Sequence, residues 1–393
     1  MMRAKDDHEP AAAVATDTAG APAPPARAVK AVGLMSGGLD STLAAKVLKD
    51  QGVEVIGLNF NTGFCTYDHH RAIGRKNEDP RRLRNVAVQA GAEAGVEVRI
   101  IDVADEYLEM VKHPRHGYGA AANPCIDCRI FMLNKAREVA EAEGAEIIFT
   151  GEVLGQRPMS QHRNALQMIE KETGLKGRLL RPLSARHLSP TAAEAEGRID
   201  RDRLLAIKGR SRKDQQQLAD ELAIEDYPQP SGGCCFLADR NFGQRFHDLV
   251  REEETRHQPV GREEIMLLKV GRHFRLSKVR KVIVGRDEAE NHFLERFRPG
   301  RWRLAAADFV GPVALVMNGE EGPPVASDED LALPAAITAR YSDGRGQALL
   351  RVRADWHEQV AGRPFGDDTP TETRVLDVAP AGEETLARLR IGV

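Results

Sequence analysis

Apolar stretches of strand length alternate with helix-like segments in the first half of the chain, and this alternation limits the folds open to it. The predicted elements, in order, are a strand at 32–35, a helix at 43–48, strands at 53–58 and 96–103, a helix at 134–143 and a strand at 146–150. Strands separated by helices are typical of parallel βαβ units. We therefore predict an α/β fold with a doubly wound parallel sheet.

The domain organisation follows from length and from changes in composition. With 393 residues, the chain exceeds the size at which one hydrophobic core usually stops growing. Residues 1–28 are rich in Ala, Pro and charge, which predicts a disordered leader. The α/β domain is assigned to 29–250 and a smaller α+β domain to 262–393. The strands predicted in this second domain lie at 266–270, 281–284, 313–317 and 349–352.

Charge, apolar runs and cysteine number indicate which partners and which cellular location to expect. The net charge of -3 gives no global signal for nucleic acid, so any RNA contact must come from local basic patches. No apolar run approaches the roughly 20 residues that span a bilayer, and the N-terminus lacks an apolar signal core. We therefore expect a cytoplasmic protein that does not contact a membrane. The five cysteines, an odd number, favour metal or thiol chemistry over a disulfide framework.

A Gly-rich loop at residues 36–41, Ser-Gly-Gly-Leu-Asp-Ser, lies directly between a predicted strand and a predicted helix. Glycines let backbone N–H groups approach an anion, and the start of the helix adds its positive dipole end. A Walker A loop would need a Lys and a dinucleotide fingerprint would need G-x-G-x-x-G, so both are excluded. The loop predicts a pyrophosphate site, with a simple Gly-Gly turn and helix cap as the alternative.

Four cysteines form two groups that are distant in sequence. Cys125 and Cys128 precede a predicted helix, and Cys234 and Cys235 follow two glycines. Thiolates at a helix start are favoured by its dipole. We expect a [4Fe-4S] cluster with three thiolate ligands and one open iron. A structural zinc site and a cysteine pair that cycles through persulfide and disulfide stay open as alternatives. Cys65 is assigned a structural role.

The loop at 36–41 resembles the S-G-G-x-D-S signature of the PP-loop (N-type ATP pyrophosphatase) superfamily. Members cleave ATP between the α- and β-phosphates and form an adenylated substrate. The resemblance implies the adenine nucleotide α-hydrolase-like (HUP) fold and binding of ATP and Mg²⁺. The residues implied in nucleotide binding are Leu34, Ser36, Gly37, Gly38, Asp40, Ser41 and Asn59, with Gly151 and Gln156 at the end of a later strand.

Further segments resemble the branch of this superfamily that thiolates tRNA, the ThiI-like and MnmA-like thiouridylases. They are Asn123-Pro124-Cys125-x-x-Cys128, Thr150-Gly151-Glu152 with Gly155-Gln156, Arg181-Pro182-Leu183 and Gly232-Gly233-Cys234-Cys235. The resemblance covers about 28–248 and implies a tRNA substrate, with sulfide or a cysteine desulfurase persulfide as sulfur donor. It makes Asp40 and the four cysteines the candidate catalytic residues, and the same cysteines the candidate metal ligands. A homodimer is one candidate assembly.

The second domain resembles the NFACT-R (DUF814) RNA-binding family over about 265–378. The segments that carry this resemblance are Val282 to Asn291, around a Val-Gly-Arg triplet, and Ala335 to Ser342. Trp302 and Trp356 offer either surfaces for base stacking or buried core positions. Basic runs at 81–84, 160–163 and 209–213 suit RNA phosphates, although solvated helix faces explain such runs equally well.

The combined prediction is an ATP-dependent tRNA sulfurtransferase that adenylates a base carbonyl and replaces its oxygen with sulfur. Two alternatives stay open at this point. One is an amide or lysidine-type ligase that uses the same adenylation with a nitrogen nucleophile. The other is an RNA-binding quality-control protein whose PP-loop does not catalyse a reaction.

Overall fold

The computed structural model describes residues 29–74, 85–225, 227, 235–256, 259–318, 327–359 and 369–392. Three predictions lie outside these residues. They concern the leader at 1–28, the basic run at 81–84 and Cys234 together with the two glycines before it.

Strands and helices alternate in the first part of the chain, whereas strands dominate the second. The strands are β1 Lys30–Leu34, β2 Glu54–Asn61, β3 Glu97–Asp102, β4 Ile147–Thr150, β5 Leu179–Leu180, β6 Arg272–Arg275, β7 Arg280–Val284, β8 Arg301–Ala306, β9 Ala314–Asn318, β10 Leu350–His357, β11 Glu372–Val378 and β12 Arg390–Ile391. The helices are α1 Leu39–Lys49, α2 Thr66–Ile73, α3 Val86–Ala94, α4 Ala104–Lys112, α5 Cys125–Ala142, α6 Arg163–Thr173, α7 Ala192–Ala195, α8 Lys213–Glu221, α9 Arg240–Arg256, α10 Arg262–Leu267, α11 Glu288–Glu295, α12 Asp328–Arg340 and α13 Glu383–Leu389.

In the described part of the chain, the first five strands form a parallel sheet in the order β3-β2-β1-β4-β5. Side chains alternate between its faces. Ala31 packs with residues of α1, α3 and α8 on one face, and Val32 packs with residues of α5 and α6 on the other. This three-layer arrangement confirms the predicted doubly wound α/β fold. The strand order reverses between β1 and β4, where ligands bind in such folds.

The second sheet is antiparallel, in the order β11-β10-β8-β9-β7-β6-β12 over the described residues. Helix α12 covers one of its faces through Leu331, Ala335 and Ala339, which pack against Trp302 and Val352. These elements confirm the predicted C-terminal α+β architecture.

The strand predicted at 266–270 is wrong, because these residues belong to α10 and the turn after it. Ile265 and Leu268 are buried at a spacing of three residues, which fits one face of a helix. The Glu264 carboxylate accepts a hydrogen bond from the Gly261 N–H at 2.9 Å and so stabilises the helix start. A short apolar run cannot distinguish a strand from a helix by its pattern alone.

The chain beyond residue 262 packs directly on the α/β part. Ile265 and Leu268 share an apolar cluster with Phe64, Phe242 and Phe246. In addition, the Arg262 guanidinium binds the carboxylates of Asp102 and Asp105. Removing everything after Arg262 would therefore expose this cluster, so a truncated chain is a poor test of the second sheet's function.

Among the helices of the described residues, we find none long and apolar enough to cross a membrane.

Candidate nucleotide and cysteine site

The loop at 36–41 joins the end of β1 to the start of α1. Gly38 is the N-cap residue of α1, and the helix begins at Leu39. The Ser41 hydroxyl donates to the Gly38 carbonyl at 2.8 Å and lies 3.4 Å from the hydroxyl of the exposed Ser36. N–H groups in the first turn of a helix have no partner within the helix, and they carry its positive dipole end. The loop therefore offers an anion the exposed Ser36 hydroxyl and the N–H groups at the start of α1, whereas the Ser41 hydroxyl would have to turn from the Gly38 carbonyl to donate to it.

Gly37 gives this loop its shape. Its φ of +80° lies in the left-handed region, and a Cβ at this position would lie 2.7 Å from the Val86 backbone at the start of α3. Only glycine fits such a close approach without strain. Gly37 thus lets the loop lie directly against the start of α3.

Asp40 lies in a polar cluster with Gln156 and Arg212. Gln156 Nε2 donates to Asp40 Oδ2 at 3.0 Å, and Arg212 Nη2 lies 3.6 Å from Asp40 Oδ1. Counting only the described residues, Asp40 Oδ1, Gln156 Oε1 and Arg212 Nε are buried without a hydrogen-bond partner. Buried polar atoms normally have partners, so these three atoms leave hydrogen-bonding capacity unused in this cluster. A carboxylate oxygen suits Mg²⁺ and a guanidinium suits phosphate, so the cluster fits both groups.

The ends of β1 and β2 meet where the nucleotide base is expected. Leu34 is the last residue of β1, and the Asn59 side chain donates from Nδ2 to the Met35 carbonyl at 2.8 Å. The Met35 N–H in turn donates to the Leu58 carbonyl at 2.7 Å. The structure thus places Leu34 and Asn59 together, next to the loop at 36–41.

The end of β4 closes the other side of the loop. A Cβ on Gly151 would lie 2.5 Å from the Asp40 carbonyl carbon, so the glycine permits direct backbone contact. The next residue, Glu152, is buried and lies 3.0 Å from Arg181 Nε and 3.3 Å from Arg129 Nε. Burial by itself would raise the pKa of Glu152, but the two arginines lower it. Glu152 is therefore the shared partner of two arginines in a buried ion-pair network.

The network around Glu152 reaches the cysteine-bearing helix, because Arg129 directly follows Cys128. Cys125 is the first residue of α5, and the Cys128 N–H donates to the Pro124 carbonyl at 2.8 Å. Asp127, between the two cysteines, accepts from the backbone N–H of His116 at 3.0 Å. Both cysteines therefore lie on the first turn of α5. The Arg129–Glu152 ion pair joins this helix to the end of β4, beside the loop at 36–41.

Cys235 reaches the same region from the distant loop. Cys128 and Cys235 are both half-buried against the apolar cluster of Phe64 and Phe242, and the Ala122 N–H donates to the Leu237 carbonyl at 3.1 Å. The backbone of Cys235 also pairs with the backbone of Cys65 in an isolated antiparallel β-bridge. The two cysteine groups of the sequence are therefore brought near one apolar cluster. Burial raises the pKa of the Cys65 thiol.

The described cysteines do not fit a metal cluster. Within the described ranges, no three His, Cys, Asp or Glu side chains are placed to hold a metal ion together. A [4Fe-4S] cluster with one open iron needs three thiolates converging on it. Cys125, Cys128 and Cys235 do not provide that arrangement, and Cys234, the other candidate for the third ligand, lies outside the described residues.

In the second domain, Trp302 of β8 and Asn291 of α11 have structural contacts. Trp302 is buried, and the Arg374 guanidinium carbon lies 5.3 Å from its ring centroid, so this tryptophan is not a surface for base stacking. Asn291 Oδ1 accepts from the Val313 N–H at 3.0 Å. The segment from 282 to 291 thus stabilises the sheet with its own side chains.

The sequence does not predict the contacts that Arg212 and Cys65 make in the structure. Arg212 was grouped with a basic run suited to RNA, yet it lies against Asp40. Cys65, for which we expect a structural role, lies opposite Cys235, a contact that the sequence does not predict. Their partners are remote in sequence, and a single chain carries no local signal for such pairs. The basic character of the run at 209–213 was the one available hint for Arg212.

Two family matches cover separate parts of the chain. Residues 27–188 match the family described as thiamine biosynthesis protein (ThiI). Residues 271–385 match the NFACT protein RNA binding domain.

Curated relatives resemble a limited part of the chain. The tRNA-specific 2-thiouridylase MnmA of Campylobacter curvus is 34% identical over 121 residues, which are 30% of this chain and 32% of the relative. The MnmA of Beijerinckia indica is 30% identical over 156 residues, or 37% of this chain and 34% of the relative. The match thus spans about a third of the length of these relatives.

Among solved structures, a 4-thiouridine synthetase in complex with RNA and bound ATP is 21% identical, with a TM-score of 0.29. The match covers 50% of this chain and 52% of that one. The chain therefore carries a segment that matches the ThiI family, followed by a segment that matches the NFACT RNA binding domain.

Proposed function

We propose that this protein is an ATP-dependent tRNA sulfurtransferase that adenylates a base carbonyl and replaces its oxygen with sulfur. The observation that carries the proposal is the polar cluster of Asp40, Gln156 and Arg212 beside the loop at 36–41. Its buried atoms without partners match the needs of a magnesium-bound nucleotide. In this proposal residues 29–250 perform the chemistry, and 262–393 hold the RNA.

The loop at 36–41 would bind the phosphates of ATP through its hydroxyls and the first-turn N–H groups of α1. Asp40 would hold Mg²⁺, which neutralises phosphate charge when bound, and Arg212 would lie beside the same phosphates. These donors are fixed before the reaction begins. Fixed donors stabilise the charge that develops on pyrophosphate without reorganisation, which is usually the largest catalytic contribution.

Adenylation solves a leaving-group problem in the exchange of oxygen for sulfur. A carbonyl oxygen of a pyrimidine base attacks the α-phosphate, and pyrophosphate leaves. The oxygen then departs as part of AMP, which is a far better leaving group than oxide. A base must be exposed for this reaction, so we expect the nucleotide to be turned out of the RNA stack.

We propose that sulfur enters as a persulfide on one of the cysteines Cys125, Cys128, Cys234 and Cys235. The cysteine thiolate attacks the outer sulfur of a cysteine desulfurase persulfide and releases the desulfurase thiolate. A second cysteine of the set then forms a disulfide with the first as the outer sulfur passes to the base at the sulfide level. The placement of Cys125 and Cys128 at the start of α5 supports this route, because a helix start favours the thiolate that attacks sulfur. The described residues give the alternative cluster route no three-thiolate site.

Iron content distinguishes the two sulfur routes. We expect protein purified without oxygen to be colourless and to keep its full rate of tRNA thiolation after chelation, with a persulfide donor present. The measurement combines iron analysis with the thiolation rate before and after chelator treatment. Brown protein with about four irons per chain, inactive after chelation, would establish the cluster instead.

Exposed arginines around a cleft provide a candidate path for the tRNA backbone. The cleft has a volume of about 690 Å³ and lies between α9 and the C-terminal strand β12. Arg251, Arg388 and Arg390 line it and are exposed. Asp248, on the same wall, is paired with Arg275 and so does not neutralise them. The cleft therefore presents net positive charge to solvent, which suits phosphates.

The double variant Arg388→Glu/Arg390→Glu is expected to weaken tRNA binding and to leave the affinity for ATP unchanged. Each lost phosphate contact should lower the slope of log Kd against log salt by about one. Filter binding of the full chain at several salt concentrations measures this slope. The control is Arg345→Glu, also exposed but not part of the cleft lining. Equal slopes for the double variant and the unmodified protein would exclude the cleft as an RNA path.

Exchange of labelled pyrophosphate into ATP tests the proposed function against the quality-control alternative. The proposal predicts exchange that depends on added tRNA, because the base is the group adenylated. A binding protein with an inert loop would show no exchange under any condition. A ligase would also show exchange, but its product would contain new nitrogen and no new sulfur.

A further inference from the structure

Cys65 and Cys235 lie directly opposite each other on two short extended segments that run antiparallel. The Phe236 N–H donates to the Phe64 carbonyl at 3.0 Å, so the hydrogen bond joins the neighbours of the two cysteines. Cys65 and Cys235 are therefore a non-hydrogen-bonded pair of an antiparallel ladder. In such a pair the side chains point to the same face and approach most closely.

The spacing of such a pair suits a disulfide bond. Residues paired in this way have Cα atoms about 4.5 Å apart, and disulfides join Cα atoms about 4.4–6.8 Å apart. Both cysteines are half-buried thiols in this structure. Little backbone movement is therefore needed to join their sulfur atoms.

The surroundings hold the two segments in register. Phe64 is buried against Phe242 and Phe246, with ring centroids 6.0 Å and 6.2 Å away. The ring of His69 meets Phe236 edge-on at 5.0 Å. These aromatic contacts, made from both segments, hold Cys65 and Cys235 opposite each other.

A positive charge lies beside this pair. The Lys269 ammonium donates to the Gly63 carbonyl at 2.5 Å and lies 5.5 Å from the ring centroid of Phe236. It also interacts electrostatically with Cys65. A lysine contributed by the segment between the two sheets thus faces the cysteine that was assigned only a structural role. Burial raises the pKa of the Cys65 thiol and lowers the pKa of Lys269 to about 8, so the nearby ammonium opposes the effect of burial on the thiol without cancelling it.

We propose that Cys65 is the resolving thiol for Cys235, attacking its sulfur whenever Cys235 carries a disulfide-linked adduct. With a low-molecular-weight disulfide RSSR, the Cys235 thiolate first forms a mixed disulfide and releases one RS⁻. The Cys65 thiolate then attacks Cys235 Sγ, forms the Sγ–Sγ bond and breaks the bond to the second RS⁻. Two protein thiols are oxidised, RSSR is reduced to two thiols, and the protons of the cysteines pass to them.

This pair controls the availability of Cys235 independently of the thiolation reaction. Oxidation to the Cys65–Cys235 disulfide removes Cys235 from any other chemistry, and reduction by a dithiol restores it. The inference therefore concerns thiol–disulfide exchange with small disulfides and holds whether or not the chain thiolates tRNA.

Peptide mapping without reduction tests the pairing. Full-length Cys234→Ser protein is treated with a chelator, incubated with oxidised glutathione and digested with trypsin. Cleavage after Lys and Arg leaves Cys65 on residues 50–71, Cys125 and Cys128 on 116–129, and Cys235 on 214–240. We expect 50–71 joined to 214–240, with no glutathione left on Cys235.

Replacing Cys65 provides the second readout. In the same background, Cys65→Ser is expected to leave Cys235 with a glutathione that persists, because the resolving thiol is gone. Cys65→Ala repeats this test if the serine variant folds poorly. A purely structural cysteine would not change the fate of the glutathione.

Three results would overturn the inference. They are a link between 214–240 and 116–129, a mixed disulfide that persists on Cys235 when Cys65 is present, or loss of glutathione from Cys235 at an equal rate in the Cys65 variants.

Discussion

Asp40→Ala and Ser41→Ala proteins are expected to release pyrophosphate from ATP at least roughly 100-fold more slowly than the unmodified protein, in the presence of tRNA. This is the order of loss when one fixed group that stabilises developing charge is removed. The reason is local: Asp40 carries a buried oxygen without a hydrogen-bond partner in the described structure, and Ser41 lies in the first turn of α1. A coupled assay of pyrophosphate measures the rate.

The matched control is Asp50→Ala, at the opposite end of the same helix. Asp50 is the C-cap residue of α1 and pairs with Lys46 at 3.1 Å, so its loss changes charge and helix stability but not the loop. Its pyrophosphate release should stay near that of the unmodified protein. Undiminished release by both the Asp40 and the Ser41 variants would remove the nucleotide site from this loop.

Arg181→Met is expected to destabilise the protein by about 3–5 kcal/mol, the usual cost of removing one partner from a buried ion pair. The Arg181 side chain is 1% exposed and lies 3.0 Å from Glu152, whose side chain is 3% exposed. Without Arg181, Glu152 stays buried, and Arg129 is the neighbouring cation that still pairs with it. Urea unfolding followed by circular dichroism measures the change.

A surface pair gives the comparison for this variant. Arg351→Met removes an ion pair with Asp308 in which the two side chains are 60% and 41% exposed, so its free energy of unfolding should stay close to that of the unmodified protein. Equal free energies of unfolding for Arg181→Met and Arg351→Met would mean that the Glu152 network does not hold the end of β4 in place.

The fold was predictable where its signals are local. The alternation of strand and helix, and the glycine loop between β1 and α1, are each contained within a few residues. Helix α10 was missed because the run at 266–270 is too short for its apolar pattern to separate helix from strand. The deciding fact was tertiary: Ile265 and Leu268 face the cluster around Phe64.

The site was predictable to the same extent. The roles expected of Asp40 and Gln156 rested on short motifs, and the structure brings these two side chains together. The positions of Arg212 beside Asp40 and of Cys65 opposite Cys235 depend on contacts between distant segments. Such contacts leave no periodic pattern in one sequence, so the structure was needed to find them.

Mass spectrometry of tRNA nucleosides tests the central claim most directly. Purified protein is incubated with unmodified tRNA, ATP, Mg²⁺ and a persulfide donor, and the nucleosides are then separated and weighed. The account predicts a pyrimidine nucleoside in which one oxygen is replaced by sulfur, formed together with an equal amount of AMP and absent with Asp40→Ala. Nucleosides that remain unchanged, in protein that is folded and binds both ATP and tRNA, would contradict it.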